Sequence, residues 1–150
     1  NYVLYLFLDA EGESMGVSEV EGGCHCRAVR YSMPVAVEHH TLCHCTDCRR
    51  HAGAPAVAWA MARTDAVRIS GETTAYASSE HARRHFCGRC GTGLFYTNDA
   101  VFPGMIDVQT ATLDTPDAIA LQAQIQLADR IGWMATIQDL PGFDRFPPMG

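Results

Sequence analysis

The sequence predicts a mainly β protein in which short strands form two packed sheets, with few short helical turns. Short apolar runs recur between turn residues, and two of them show clear alternation between apolar and polar side chains. Thirteen Gly and seven Pro supply many turns. The length of 150 residues suits one domain, and a hydrophobic fraction of 47% is sufficient for a folded core.

Ten segments are predicted as strands: 17–21, 28–33, 35–42, 55–62, 67–69, 73–77, 83–86, 94–97, 105–108 and 121–127. Alternation is clearest in 28–31 and 122–127. Residues 119–126 also fit a helix, so that segment has two interpretations. A short helix is predicted over 46–52, with Thr46 as its N-cap and Gly53 as its stop.

The charge excludes some classes of partner. A net charge of −6 and a pI near 5.5 disfavour a general electrostatic grip on nucleic acid or on an anionic membrane. No apolar run approaches the roughly 20 residues that span a bilayer. Seven cysteines without a recognisable secretion signal indicate a reducing compartment and metal ligation, so we expect a cytoplasmic protein.

The first residues differ from the rest of the chain. An apolar run over 2–8 is followed by Asp9, Glu11 and Glu13, without the basic residues of a signal peptide. We interpret 1–16 as an N-terminal extension, with Met15 as an alternative start, and 17–150 as the domain. The other interpretation is an edge strand or a partner-binding arm, which could dock on a second subunit and give a homodimer.

The cysteines fall into three groups with the spacing of metal ligands. They are Cys24 and Cys26; Cys43, Cys45 and Cys48; and Cys87 and Cys90. The middle group lies within six residues, so one ion can bind all three thiolates. The other four cysteines then form one complete tetrahedral zinc set. Three protein ligands and one open position are typical of a catalytic zinc. Other pairings satisfy the same count.

Several alternatives compete with this partition. The pair Cys45 and Cys48 has the spacing of a thioredoxin-like redox motif, although Cys43 beside it speaks against that. Iron could replace zinc at Cys87 and Cys90. Both metals could be structural, with His44, His51 or Asp47 closing the second site. The remaining histidines are not predicted as ligands: His25, His39, His40, His81 and His85.

An open zinc site with three thiolates favours carbon–sulfur chemistry. The site carries one net negative charge, so it is a weak Lewis acid. It is better suited to holding an incoming thiol as a nucleophilic thiolate. A thiol peptide such as glutathione carries two carboxylates, which arginines bind through bidentate hydrogen bonds. Arg49 and Arg50 directly follow Cys48 and are the candidate residues; Arg83, Arg84 and Arg89 flank the third group.

These groups resemble the glutathione-dependent formaldehyde-activating enzyme family, also called the Gfa or centromere-protein-V-like family. The resemblance extends over about 17–146. Its strongest segments are GGCHCRAVRY at 22–31, CHCTDCRRHAGAP at 43–55 and FCGRCGTGLF at 86–95. One departure is Gln124-Ile125-Gln126, where many relatives carry a His-Ile-Trp-like stretch.

The resemblance implies an Mss4-like fold of short antiparallel strands stapled by zinc. It implies a structural zinc at Cys24, Cys26, Cys87 and Cys90, and a catalytic-type zinc at Cys43, Cys45 and Cys48, which family members can lose. It also implies a carbon–sulfur lyase that acts on glutathione and formaldehyde. The alternative function is a non-catalytic Mss4-like module that binds another protein, since fold alone does not decide function.

Overall fold

Short strands dominate the computed structural model, which describes residues 18–148. Within these residues the strands are β1 (Glu19–Gly23), β2 (Arg30–Pro34), β3 (His39–Cys43), β4 (Val57–Arg63), β5 (Arg68–Ser70), β6 (Thr74–Ala77), β7 (Ala82–Phe86), β8 (Gly93–Asn98), β9 (Met105–Gln109) and β10 (Ala123–Ile125). One α-helix, α1, spans Thr46–Ala52, and short 3-10 turns follow β4 and β9 and recur after residue 115. The prediction of a mainly β fold is confirmed.

The strands form two sheets that pack face to face. One sheet has seven strands in the order β10-β3-β4-β9-β8-β7-β6, and the other has three in the order β1-β2-β5. Neighbouring strands are antiparallel except β10, which runs parallel to β3. The core between the sheets includes Met33 from β2 and Leu94, Phe95 and Val108 from the larger sheet.

Alternation places each strand residue on one face of its sheet. In β2, Tyr31 and Met33 are buried while their neighbours are partly exposed. The Tyr31 ring meets the Phe95 ring edge-on across the core, with 5.3 Å between centroids. Gly22 in β1 lies against the Tyr31 hydroxyl so closely that a Cβ would clash. The glycine therefore lets the two strands of this hairpin accommodate the tyrosine.

All ten predicted strands occur, with shifted ends. The predicted helix has the predicted bounds, and Gly53 ends it in the left-handed region at φ 62°. The predicted N-cap is wrong by one position, because the Cys45 sulfur accepts the hydrogen bond from the Cys48 N–H. The helical interpretation of 119–126 is also wrong. The interpretation of 1–16 lies outside the described residues.

The outer face of the seven-stranded sheet carries the residues that matter most below. One cross-strand row on this face contains His39, Met61, Asp107, Tyr96 and Arg84, which are direct register partners on β3, β4, β9, β8 and β7. Cys43 shares this face of β3 with His39, since the two are four residues apart. No helix among residues 18–148 has the length and apolar character that crossing a membrane requires.

Candidate functional site

The four-cysteine cluster joins the two sheets. It consists of Cys24, Cys26, Cys87 and Cys90, whose sulfurs all lie within 4.8 Å of one another. The first pair follows β1 of the small sheet, and the second pair follows β7 of the large sheet. Cys24 and Cys87 are buried, whereas Cys90 is exposed. Segments far apart in sequence therefore converge on one point at the end of the core.

The spacing of these sulfurs fits a tetrahedral zinc. Zn–S bonds of about 2.3 Å place the sulfurs at the corners of a tetrahedron with edges of about 3.8 Å. The Cys24–Cys26 and Cys26–Cys87 sulfur distances are 3.6 and 3.7 Å. A disulfide would need about 2.05 Å, and all seven cysteines are free. The donor set and its geometry therefore suit a closed metal site.

Local backbone geometry holds the ligands in place. The Cys87–Cys90 turn is closed by a hydrogen bond from the Gly91 N–H to the Cys87 carbonyl, at 2.8 Å. Gly91 has φ 79°, a conformation that side chains disfavour, so a glycine is needed there. The Cys24 sulfur accepts a hydrogen bond from the Val29 N–H at 3.2 Å. Hydrogen bonds of this kind stabilise a thiolate.

The three-cysteine cluster lies at the junction of β3 and α1. Cys43 ends β3, Cys45 caps α1 and Cys48 lies in its first turn, with all three sulfurs within 4.8 Å of one another. Cys43 and Cys48 are buried, whereas Cys45 is partly exposed. Solvent therefore reaches the cluster from the Cys45 side, and a ligand could approach the sulfurs from there.

No further protein ligand completes this second cluster among residues 18–148. His44 is buried, but its Nε2 is 3.0 Å from the Gln124 Oε1, and its Nδ1 has no partner. His51 packs instead against Tyr76 and Phe86, with ring centroids 6.3 and 6.1 Å away. A metal ion held by these three sulfurs would therefore have one tetrahedral vertex left for a ligand from outside residues 18–148.

A buried arginine lies beside the second cluster. Arg84 is 5% exposed, and its Nη1 donates to the Cys48 sulfur across 3.7 Å. Its guanidinium also lies over the Tyr96 ring, 5.0 Å from the centroid. Hydrogen bonding from Cys43 is the main reason that the pKa of the Cys48 thiol falls to about 5, and burial opposes it. Arg84 lowers this pKa further.

Strand β10 lies along the second cluster. Strand β10 pairs with β3 so that Ile125 is the register partner of Cys43, and the Ile125 carbonyl accepts from the His44 N–H at 3.1 Å. Gln124, where the sequence departs from the pattern of the family that it resembles, therefore lies beside the segment that carries Cys43, Cys45 and Cys48. Its side-chain amide contacts His44. Gln126 has φ 58°, and the strand ends just before it.

The predicted anion-binding arginines occupy different environments. Both lie on α1, where Arg49 is partly buried and Arg50 is exposed. The Arg49 Nε is buried without a hydrogen-bond partner. Sequence reasoning did not assign Arg84 to this cluster, because it is separated from Cys48 by 36 residues. The available signal was strand alternation, which requires Arg83 and Arg84 to point to opposite faces of β7.

Another cavity lies away from both clusters. It has a volume of about 310 Å³ and is lined in part by His40, Ala58, Thr110 and Ile119. His40 is three residues from Cys43 on β3, so the two face opposite sides of the sheet. Both ring nitrogens of His40 already contact Ile119 and Thr110, at 3.1 and 2.8 Å. The histidine of this cavity is therefore already hydrogen-bonded, and the other ionisable residue in its lining is the exposed Asp117.

Asp107 makes stability depend on pH. Burial raises the pKa of its carboxyl to about 6, although His39, 3.6 Å away, opposes the rise. Because the folded protein favours the protonated carboxyl, Asp107 stabilises the fold at pH values below the pKa of this carboxyl in the unfolded chain. This contribution is lost as the pH rises through the folded-state pKa of about 6. From about pH 4 to about pH 7, Asp107→Asn should therefore gain up to about 3 kcal/mol over wild type.

Denaturant unfolding of both proteins in the same series of buffers measures this difference. Acid weakens metal–thiolate bonding in both proteins alike, so the difference between them isolates Asp107. Curves that stay parallel across this pH range would show that the carboxyl has no raised pKa.

Comparison with known proteins assigns the family. The sequence pattern of the family "Glutathione-dependent formaldehyde-activating enzyme" matches residues 19–129. An uncharacterized lyase of Schizosaccharomyces pombe is 32% identical over 113 residues, which cover 66% of this chain and 82% of the relative. A Halomonas elongata protein, provisionally named a glutathione-dependent formaldehyde-activating enzyme, is 30% identical over 64% of this chain and 66% of its own length.

A solved structure agrees with the fold. The crystal structure of a Rhodobacter sphaeroides protein matches with a TM-score of 0.53 and 25% identity, covering 69% of this chain and 98% of the other. The family match spans the strands from β1 to β10 and both cysteine clusters. The chain therefore belongs to the glutathione-dependent formaldehyde-activating enzyme family.

Proposed function

We propose that the chain is a zinc-dependent enzyme of the carbon–sulfur lyase type that acts on adducts of glutathione and formaldehyde. The observation that carries this proposal is the cluster of Cys43, Cys45 and Cys48, which gathers three sulfurs without a fourth ligand from residues 18–148. The family match and the lyase name of one relative support the reaction class. In the same proposal, the four-cysteine cluster holds a structural zinc.

The chemistry requires a thiol to act as a nucleophile or a leaving group. Zinc held by the three thiolates would bind a further thiol and keep it in its thiolate form. In the forward direction a carbon–sulfur bond forms to the aldehyde carbon, and the thiol proton ends on the aldehyde oxygen. The reverse direction breaks the same bond, so no oxidant or reductant is needed. Cys45, the partly exposed ligand, borders the approach to the site.

Arginines on α1 would hold the peptide part of the thiol. Arg49 and Arg50 follow Cys48 directly, and neither pairs with a carboxylate among the described residues. In this proposal Arg49 and Arg50 bind glutathione carboxylates, because a guanidinium matches a carboxylate in bidentate geometry.

Exchange NMR tests the proposal in solution. Glutathione and labelled formaldehyde interconvert with their adduct without a catalyst, so the measured quantity is the increase in exchange rate with protein concentration. The zinc-loaded protein should increase the rate, the chelator-treated protein should not, and reloaded protein should recover. Identical rates for loaded and chelated protein would refute the enzymatic proposal.

One observation favours the alternative of a protein-binding module. The segment that follows β10 exposes several large apolar side chains: Leu127, Trp133, Ile137, Leu140, Phe143 and Phe146. Exposed apolar groups of this size are typical of interaction sites. Such a module would also be expected to close its second metal site with a protein ligand, and the described residues supply none. The enzymatic proposal therefore accounts for more of the structure.

A further inference from the structure

Arg84 is a buried cation without a carboxylate partner. Its side chain is 5% exposed, and none of the ion pairs among residues 18–148 includes it. Its Nε is buried and has no hydrogen-bond partner. Removing a guanidinium from water is costly unless a negative charge is close by. The burial of Arg84 therefore requires an anion, and the Cys48 sulfur, to which its Nη1 donates, can carry that charge as a thiolate.

The second cluster supplies this negative charge. The Arg84 Nη1 is 3.7 Å from the Cys48 sulfur, and Tyr96 supports the guanidinium from one face. Three thiolates around a divalent ion leave one negative charge, which one guanidinium balances. The cluster and Arg84 together are then neutral. When a further thiolate binds, the ion, the four thiolates and Arg84 together carry a charge of minus one. Without Arg84 the same group would carry a charge of minus two.

We propose that Arg84 is the charge-balancing residue of the second cluster, which allows a metal ion held by Cys43, Cys45 and Cys48 to accept an additional thiolate. This inference rests on the proposed function, since it assumes that an external thiol binds there. Arg84 acts on the incoming sulfur through Cys48 and the bound ion. It is therefore a positioning residue rather than a catalytic one.

The neighbouring arginine provides a matched control. Arg83 precedes Arg84 on β7 and points to the opposite face of the sheet. Its Nη1 donates to the backbone carbonyls of Ser79, Glu80 and Ala82, so its role is local. Arg83→Gln removes the same charge from the same strand and does not alter the contact with Cys48. Any effect specific to Arg84→Gln therefore reflects the position of the charge.

Cobalt-loaded protein gives a readout that does not depend on catalysis. Titration with a thiol changes the visible absorption of a cobalt ion that has an open vertex, and chelator competition reports the affinity of the metal itself. We expect Arg84→Gln to weaken both thiol and cobalt binding by about 10- to 100-fold, the range for residues that support metal ligands. Arg84→Lys, which retains the charge, and Arg83→Gln should stay close to wild type.

Two thiols separate charge balance from recognition of the peptide. Glutathione carries carboxylates, whereas 2-mercaptoethanol carries none. Charge balance at the metal predicts that Arg84→Gln weakens both thiols equally. A loss confined to glutathione would overturn the inference, because Arg84 would then bind a carboxylate of the peptide. Unchanged affinity for both thiols and for cobalt would overturn it as well.

The proposed function can fail separately. Wild-type protein whose cobalt spectrum does not respond to thiols would contradict the proposed function, whereas the cobalt affinities of the variants would still test Arg84. If Arg84→Gln does not fold, Arg84→Met is measured in its place, because methionine retains the buried aliphatic part of the arginine side chain. If neither neutral variant folds, Arg84→Lys decides: wild-type affinities support charge balance, and lost affinities refute it.

Discussion

Replacing Cys87 by serine should leave most of the protein molecules unfolded under conditions in which the wild type is folded. Cys87 is buried and belongs to the cluster that connects the end of β1 with the end of β7. Cys26 and Cys87, whose sulfurs are 3.7 Å apart, are 61 residues apart in sequence. Binding free energy at a structural zinc is also folding free energy. The loss should exceed about 4 kcal/mol, the range reserved for mechanisms such as metal loss.

Thermal unfolding with a matched variant measures this loss. Cys45→Ser removes one sulfur from the other cluster by the same chemical change, and it should lower the melting temperature much less. The reason is that Cys43, Cys45 and Cys48 lie within one strand–helix junction and close only a short loop. Equal melting temperatures for the two variants would show that the four-cysteine cluster does not stabilise the fold by joining the two sheets.

Cys45→Ser should instead abolish the protein-dependent increase in the adduct exchange rate while the protein stays folded. The serine hydroxyl is a poor ligand compared with a thiolate, so the second cluster would lose its ion or its geometry. Changes in residues that only support metal ligands already cost up to about 100-fold, and a lost ligand should cost at least as much. Exchange NMR on zinc-loaded wild type and variant measures this ratio at equal folded concentration.

A second substitution controls for the helix cap. The Cys45 sulfur also accepts the hydrogen bond from the Cys48 N–H at 3.3 Å, and serine can take over this role. Thr46→Ala, at the next residue, alters the start of α1 without removing a sulfur and should retain the protein-dependent increase in exchange rate. Wild-type exchange rates in Cys45→Ser would refute a catalytic role for the second cluster.

Local sequence patterns were sufficient to predict the elements. The alternation of β2 and the bounds of α1 follow from side chains that are adjacent in the chain, and these predictions are confirmed. The spacing of Cys43, Cys45 and Cys48 predicts one cluster for the same reason, because six residues cannot separate three sulfurs widely. The cap of α1 differs from the prediction because the Cys45 sulfur accepts from the Cys48 N–H, and cysteine is not among the residues that usually cap helices.

Long-range pairing could not be predicted from the sequence. Nothing in residues 121–127 indicates that β10 pairs in parallel with β3, or that Gln124 reaches His44. Arg84 shows the same limit, since it contacts the sulfur of Cys48, 36 residues away in sequence, although Cys87 is only three residues away. Strand order decides both contacts, and strand order depends on the packing of the whole sheet.

The proposed function requires two metal ions per chain, one of them at Cys43, Cys45 and Cys48 with a vertex open to a thiol. Native mass spectrometry of zinc-loaded protein tests it most directly. We expect two zinc ions per wild-type chain, one in Cys45→Ser, and a glutathione adduct that requires the second ion. A single zinc per wild-type chain at saturating zinc, with Cys45→Ser unchanged, would contradict it.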